Sequence, residues 1–124
     1  MIRLLILSAL LISVLQQGSH CAVLKKITFS ETPEKLRVVL ATDVPVRYKA
    51  NRSNAYITIS LPNTKMQPGI SPSISSRIIE DLSVYAKDTG CEVRVNFKYL
   101  TSSSIFALSN PNRIVADFKQ ISKI

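Results

Sequence analysis

Histidine is almost missing from this chain. The single one, His20, lies in the N-terminal apolar region, so a histidine-based acid–base pair or zinc site has nothing to build on. Glycine is scarce as well, at three residues in 124, and no glycine-rich loop is present to cradle a phosphate. The two cysteines, Cys21 and Cys91, form no CxxC pair, which removes the common metal and redox motifs. Acidic residues number 8 against 16 Lys and Arg, and they show no metal-loop spacing. Serines are plentiful but sit in turn-like stretches, without a histidine or a nucleophile elbow. These shortages argue against an enzyme, and no cofactor is implied.

What remains is a basic chain of ordinary hydrophobicity, long enough for one domain. Its formal net charge is +8. Arg3 precedes an apolar run over residues 4–15, which Gln16-Gln17 breaks and the small residues Gly18, Ser19, Cys21 and Ala22 follow. This is the layout of a secretory signal peptide. The run is too short for a membrane span, which needs about 20 apolar residues. Residues 1–22 are therefore read as a signal peptide and residues 23–124 as the domain. The chain is therefore expected to be exported. Cys21 raises the alternative of a lipid anchor, but Gly18 and His20 stand where that processing wants an aliphatic and a small residue. If Cys21 survives processing, a Cys21–Cys91 disulfide is open to it; otherwise Cys91 is unpaired.

The remainder alternates in the manner of strands. Lys26-Ile27-Thr28-Phe29 is the first. Leu36, Val38 and Leu40 share one face of the next, with Arg37, Val39 and Ala41 on the other. After a turn at Thr42-Asp43-Val44-Pro45, Val46, Tyr48 and Ala50 alternate against Arg47 and Lys49. A polar hairpin follows, and then Ala55, Ile57, Ile59 and Leu61 point inward with Tyr56, Thr58 and Ser60 outward. Residues 62–77, rich in proline and serine, read as a connection between halves. Ile78, Glu80, Leu82, Val84 and Ala86 suggest a strand, with a short helix as the alternative. Val93, Val95, Phe97 and Tyr99 alternate with Arg94, Asn96 and Lys98. Thr101-Ser102-Ser103-Ser104 reads as a turn and Asn110-Pro111-Asn112 as a hairpin. The last strand turns Ile114, Ala116 and Phe118 inward and Arg113 and Asp117 outward.

The pattern is stated twice. Residues 36–61 align with residues 93–118 at a constant offset of 57, without a gap. Arg37 then matches Arg94, Leu40 matches Phe97, Tyr48 matches Ile105 and Ile57 matches Ile114. A repeat of this kind suggests two equivalent units sharing one core. Short strands without a long helix predict an all-β fold, a sandwich of two small sheets with internal pseudo-two-fold duplication.

Two stretches carry a family resemblance: Arg37-Val38-Val39-Leu40, and Asn110-Pro111-Asn112-Arg113-Ile114-Val115-Ala116-Asp117-Phe118. With their order and spacing, the chain resembles an AMIN domain, the amidase N-terminal module, over about residues 27–119. Ser60 departs from the pattern where the second half has Asp117, and Asn96 stands in place of an apolar residue. The resemblance implies two similar halves, each contributing a sheet. It also implies a non-catalytic periplasmic module that targets peptidoglycan, with a cell-wall amidase or a secretin as a separate polypeptide partner.

The residues themselves offer a basic surface. Arg37, Arg47, Lys49, Arg94, Lys98 and Arg113 are expected to point away from the core, and with Tyr56 they form the candidate ligand-binding set. Arginine binds carboxylates in a bidentate manner, and tyrosine stacks on sugars. Nucleic acid would suit such a face, but export removes it as a partner. Asp117 joins the set, with a structural ion pair among Arg37, Arg113 and Asp117 as the plain alternative. The competing function is an assembly component of a type IV pilus or secretin machine, acting through protein contacts at an edge strand. The processing reading is checked by intact mass of protein from a periplasmic fraction, which should begin near Ala22 or Val23. A diacylglyceryl-modified Cys21 would overturn it.

Overall fold

The computed structural model describes residues 21–70, 74 and 76–122; the expected signal segment 1–20 lies outside the described residues, as do parts of the 62–77 connection. Among the described residues nine strands form: β1 (Ala22–Glu31), β2 (Leu36–Thr42), β3 (Lys49–Arg52), β4 (Tyr56–Pro62), β5 (Thr64–Met66), β6 (Ile79–Lys87), β7 (Gly90–Phe97), β8 (Leu100–Leu108) and β9 (Arg113–Ser122). They make a five-stranded sheet in the order β5-β1-β2-β9-β8 and a four-stranded sheet in the order β3-β4-β7-β6. The fold is all-β, with two open sheets facing each other as a sandwich.

The alternation read from the sequence produces the core. In β2, Leu36, Val38 and Leu40 are buried; in β4, Ile57, Ile59 and Leu61; in β7, Cys91, Val93, Val95 and Phe97; in β9, Ile114, Ala116 and Phe118. Burying each large apolar side chain contributes about 1.5–3 kcal/mol. Phe97 and Phe118, one from each sheet, meet at 5.8 Å between ring centroids with their planes tilted by 58°.

The duplication governs the topology. At the repeat offset, β1, β2, β3 and β4 correspond to β6, β7, β8 and β9. Exchanging these labels turns the order β1-β2-β9-β8 into β6-β7-β4-β3, which is the second sheet. Neither half makes a sheet alone, contrary to what the resemblance implied. Each sheet takes a hairpin from both halves. Equivalent backbone bonds seal the two joins: Thr42 N–H to Asn112 O at 3.1 Å and Phe97 N–H to Ala55 O at 2.8 Å. The registers are not identical. Leu36 lies opposite Phe118 in the first sheet, so the offset would place Val93 opposite Leu61; Val93 instead faces Ile59. A slide of an even number of residues leaves every side chain on its face.

Several elements differ from the expectation. β1 starts well before Lys26, with Ala22 and Leu24 buried and the Ala22 N–H bonded to Asn63 O at 3.0 Å. Of the two expected cleavage points, only the one before Ala22 keeps this residue. Val46 and Tyr48 pack against the core but outside the strand, which begins at Lys49. Ala55 is exposed ahead of β4. The connection holds a short strand of its own, β5, parallel to β1. The stretch after it is the strand β6 and not a helix; an irregularity between Ile79 and Asp81 sends Ile79 inward and leaves Glu80 exposed. Tyr99 lies past the end of β7 and is 39% exposed. The serine run 101–104 belongs to β8, because Thr101 is fully buried and the run pairs with β9. Both cysteines are free thiols, and burial pushes the Cys91 thiol up to about 11. Among the described residues no helix is long and apolar enough to cross a membrane.

Gly90, at the β6–β7 turn, is the tightest point of the fold. Its φ is +150°, and a Cβ there would lie 2.1 Å from Leu61 O. Gly90→Ala should therefore lower stability by more than about 1 kcal/mol, read as a fall in the urea midpoint. An unchanged midpoint would mean that β4 and the turn separate freely.

Candidate functional site

The sequence-derived candidates do not share one face. Strand pairing assigns them to two opposite surfaces and to the ends of the sandwich.

On the outer face of the five-stranded sheet, Arg37 lies directly across from Asp117. The guanidinium donates from Nε to Asp117 Oδ1 at 2.8 Å and from Nη2 to Oδ2 at 2.9 Å. Lys35 adds a looser approach at 3.7 Å. The Arg37 bonds, with its charge, hold the Asp117 carboxyl below the usual carboxylate range. This bidentate fork staples β2 to β9 and leaves Arg37 committed to the protein. Arg113 is committed as well: its Nη1 donates to Pro111 O at 2.7 Å and Ser109 O at 3.4 Å, holding its own hairpin. At the end of β7, Lys98 Nζ bonds Ser76 O at 2.8 Å. Arg47 is exposed in the segment before β3.

The outer face of the four-stranded sheet is different. Its rows, set by register, are Lys49–Ser60–Glu92–Tyr85, then Asn51–Thr58–Arg94–Ser83, then Tyr56–Asn96–Asp81. Every side chain in the rows is polar or aromatic, because the alternation sends Ile57, Ile59, Leu61, Val93, Val95 and Phe97 into the core. The Arg94 guanidinium sits over the Tyr56 ring, 3.9 Å from its centroid, a cation–π contact worth about 0.5–1 kcal/mol at an exposed site. Arg94 Nε donates to Asn96 Oδ1 at 3.3 Å, and Asn96 Nδ2 donates to Asp81 Oδ1. The chain Asp81–Asn96–Arg94–Tyr56 thus holds one guanidinium over a ring. Among the described residues no bond engages its terminal nitrogens. A pre-positioned fork of this kind suits a carboxylate, and exposed Tyr85, at 47%, offers a second ring for an apolar sugar face. A shallow depression of about 190 Å³ opens at the end of the face, between Lys49, Ser60, Lys87 and Glu92.

The repeat explains the contrast. Arg37 and Arg94 are equivalent positions, but Asp117 corresponds to Ser60. Ser60 offers no charge to the second arginine, which turns to Tyr56 instead. The structure therefore brings Lys49, Tyr56 and Arg94 together and separates them from Arg37, Arg113 and Asp117. Asp81, Tyr85 and Asn96 join the face and were not among the sequence candidates. All three follow from outward parity, yet no charge pattern singled them out. Among the described residues, no three His, Cys, Asp or Glu side chains gather to hold a metal. No protein-family model matches the chain, and no curated protein matches it.

The Arg37–Asp117 pair generates a pH signature. The Asp117 carboxyl titrates lower in the folded chain than in the unfolded one, where about 3.9 is usual. Its contribution is therefore complete above that value and disappears as pH falls through the lower, folded value. Arg37→Ala should reduce stability at neutral pH and be indistinguishable from wild type once Asp117 is protonated. Denaturant titrations of both proteins across the acid range check this; a pH-independent difference would assign the loss to packing.

Proposed function

We propose that this chain is an exported, non-catalytic module that binds peptidoglycan in the bacterial cell envelope. The observation that carries the reading is the open outer face of the four-stranded sheet, whose paired rows are polar or aromatic throughout. There a guanidinium is held over a tyrosine ring with its terminal nitrogens free. Peptidoglycan offers what such a face can use: stem-peptide carboxylates for Arg94 and Lys49, and sugar rings for Tyr56 and Tyr85. An open sheet face, unlike a closed pocket, accepts a polymer that continues past the protein at both ends. The resemblance to AMIN domains supports the same reading.

Binding to purified sacculi tests it. Wild type should sediment with sacculi at low ionic strength and less so as salt rises, because exposed charge contacts are screened. Arg94→Ala and Tyr56→Ala should each weaken binding about tenfold, the effect of losing roughly 1.4 kcal/mol. Arg37→Ala, on the opposite face, should bind as wild type does while folded. A folded wild type that ignores sacculi at low salt would overturn the proposal. Equal losses from Arg37→Ala and Arg94→Ala would show diffuse charge attraction in place of a defined face.

A further inference from the structure

The sandwich has four sheet edges, and three are guarded. β5 has three residues. β3 has four and carries Lys49 and Arg52. β6 has nine, but it is irregular between Ile79 and Asp81 and bears Glu80, Asp81 and Lys87. Short length, charge and bulges are the usual means of keeping an edge from pairing with another chain. The fourth edge is β8, Leu-Thr-Ser-Ser-Ser-Ile-Phe-Ala-Leu, nine residues without a charge or a proline. Its register along β9 is regular from Thr101 to Leu108.

The backbone groups on the open side can be identified. Thr42 N–H bonds Asn112 O, so Asn112 faces β2. Antiparallel alternation then turns Ile114, Ala116 and Phe118 toward β2 as well. Their partners across β9 are Ala107, Ile105 and Ser103, whose N–H and C=O groups therefore point outward from the sheet. One of these groups has a substitute partner: Tyr48 Oη donates to Ile105 O at 3.0 Å. The row beside the edge is apolar on its outer side. Val39, Val115 and Phe106 run across β2, β9 and β8 in register, and Val115 is 2% exposed on that outer face. Leu108 beside them is 42% exposed.

The surroundings are cationic. Arg52 reaches Ser103 Oγ at 3.0 Å. Arg47 and Lys49 flank Tyr48 and are exposed. Arg113 and Lys119 lie opposite Leu108 and Ser102. The carboxylate of Asp117, opposite Ser104, is held by Arg37.

We propose that the open edge of β8 is a strand-addition site for an extended acidic segment of another protein. The incoming strand would bond to Ser103, Ile105 and Ala107, displacing the Tyr48 hydroxyl. Its alternate apolar side chains would extend the Val39–Val115–Phe106 row, and its carboxylates would meet Arg52 and Lys119. Charge selects this occupant over a second copy, since a chain with a strong excess of Lys and Arg over Asp and Glu repels itself. Main-chain bonds supply the affinity of such additions and side-chain pockets the selectivity.

The test uses the folded chain and two short peptides, one alternating valine with glutamate and the other valine with lysine. The glutamate peptide should bind at low salt and slow hydrogen exchange at the amides of Ser103, Ile105 and Ala107. The lysine peptide should do neither. Ala107→Pro removes one outward N–H at an exposed position and should weaken the glutamate peptide about tenfold, the loss of roughly one bond and its geometry. Tyr48→Phe keeps the ring and frees the Ile105 carbonyl, so peptide binding should strengthen by about threefold or more; this variant decides the matter should Ala107→Pro fail to fold. Unchanged exchange at the three amides, or equal protection by both peptides, would overturn the proposal. So would protection that grows with the protein's own concentration, which would identify a second copy as the occupant. Sacculus binding by folded Ala107→Pro should match wild type, so failure at this edge is distinguishable from failure of the peptidoglycan reading.

Discussion

The structure depends on strand pairing between its two halves. β2 pairs with β9, and β4 with β7, so the centre of each sheet is a junction of chain segments far apart in sequence. The Arg37–Asp117 fork closes one such junction across 80 residues. A hairpin from either half, left alone, would expose one apolar face and two unpaired edges. Isolated two-stranded hairpins are marginal in water. The repeated unit is thus unable to fold independently, and the domain exists only when both copies are present and exchanged. Topologies of this kind, ruled by non-local contacts, fold more slowly than local ones.

A duplicated frame gives each outer position a counterpart, and the two copies have used the same position differently. Arg37 found a carboxylate across the strand and became a staple. Arg94, with Ser60 at the corresponding site and Thr58 directly opposite after the register slide, has no carboxylate within its row. It rests on Tyr56 and keeps its donors outward. The two equivalent arginines therefore differ in use: Arg37 holds two strands together on the five-stranded sheet, and Arg94 keeps its terminal donors outward on the four-stranded one.

The inner faces were legible because burial enforces a period of two. Ile57, Ile59, Val93, Val95, Ile114 and Phe118 all took the positions that alternation gave them. The repeat was legible for the same reason. What alternation cannot encode is which strand lies beside which, so the idea that each half builds its own sheet failed. It also cannot mark the end of pairing: Val46 and Tyr48 alternate and are half-buried, yet they pack from a segment outside the strand. The serine run of β8 looked like a turn because serine is common in turns; only its partner β9 and the buried Thr101 make it a strand. The site was half legible. Outward parity found Tyr56 and Arg94, but parity gives no information on whether an outward arginine meets a carboxylate. That required the register, and the register separated Arg37 from Arg94.

The basic charge and the unguarded edge have one physical explanation together. A long, neutral edge whose register is regular from Thr101 to Leu108 is a hazard where copies of the same chain meet. Local charge on β8 would remove the hazard, but it would also remove any use of the edge for pairing. The excess of Lys and Arg over Asp and Glu opposes self-encounter at a distance, before backbone groups come within hydrogen-bonding range. This protection discriminates by sign: it keeps like chains apart and draws acidic ones in. It is also screened beyond about 8–10 Å at physiological ionic strength, so it acts on approach and leaves the short-range bonds of a docked strand intact. The same field favours a carboxylate-bearing polymer at the opposite sheet. A single compositional bias would thus serve both proposed uses, the Arg94–Tyr56 face and the β8 edge.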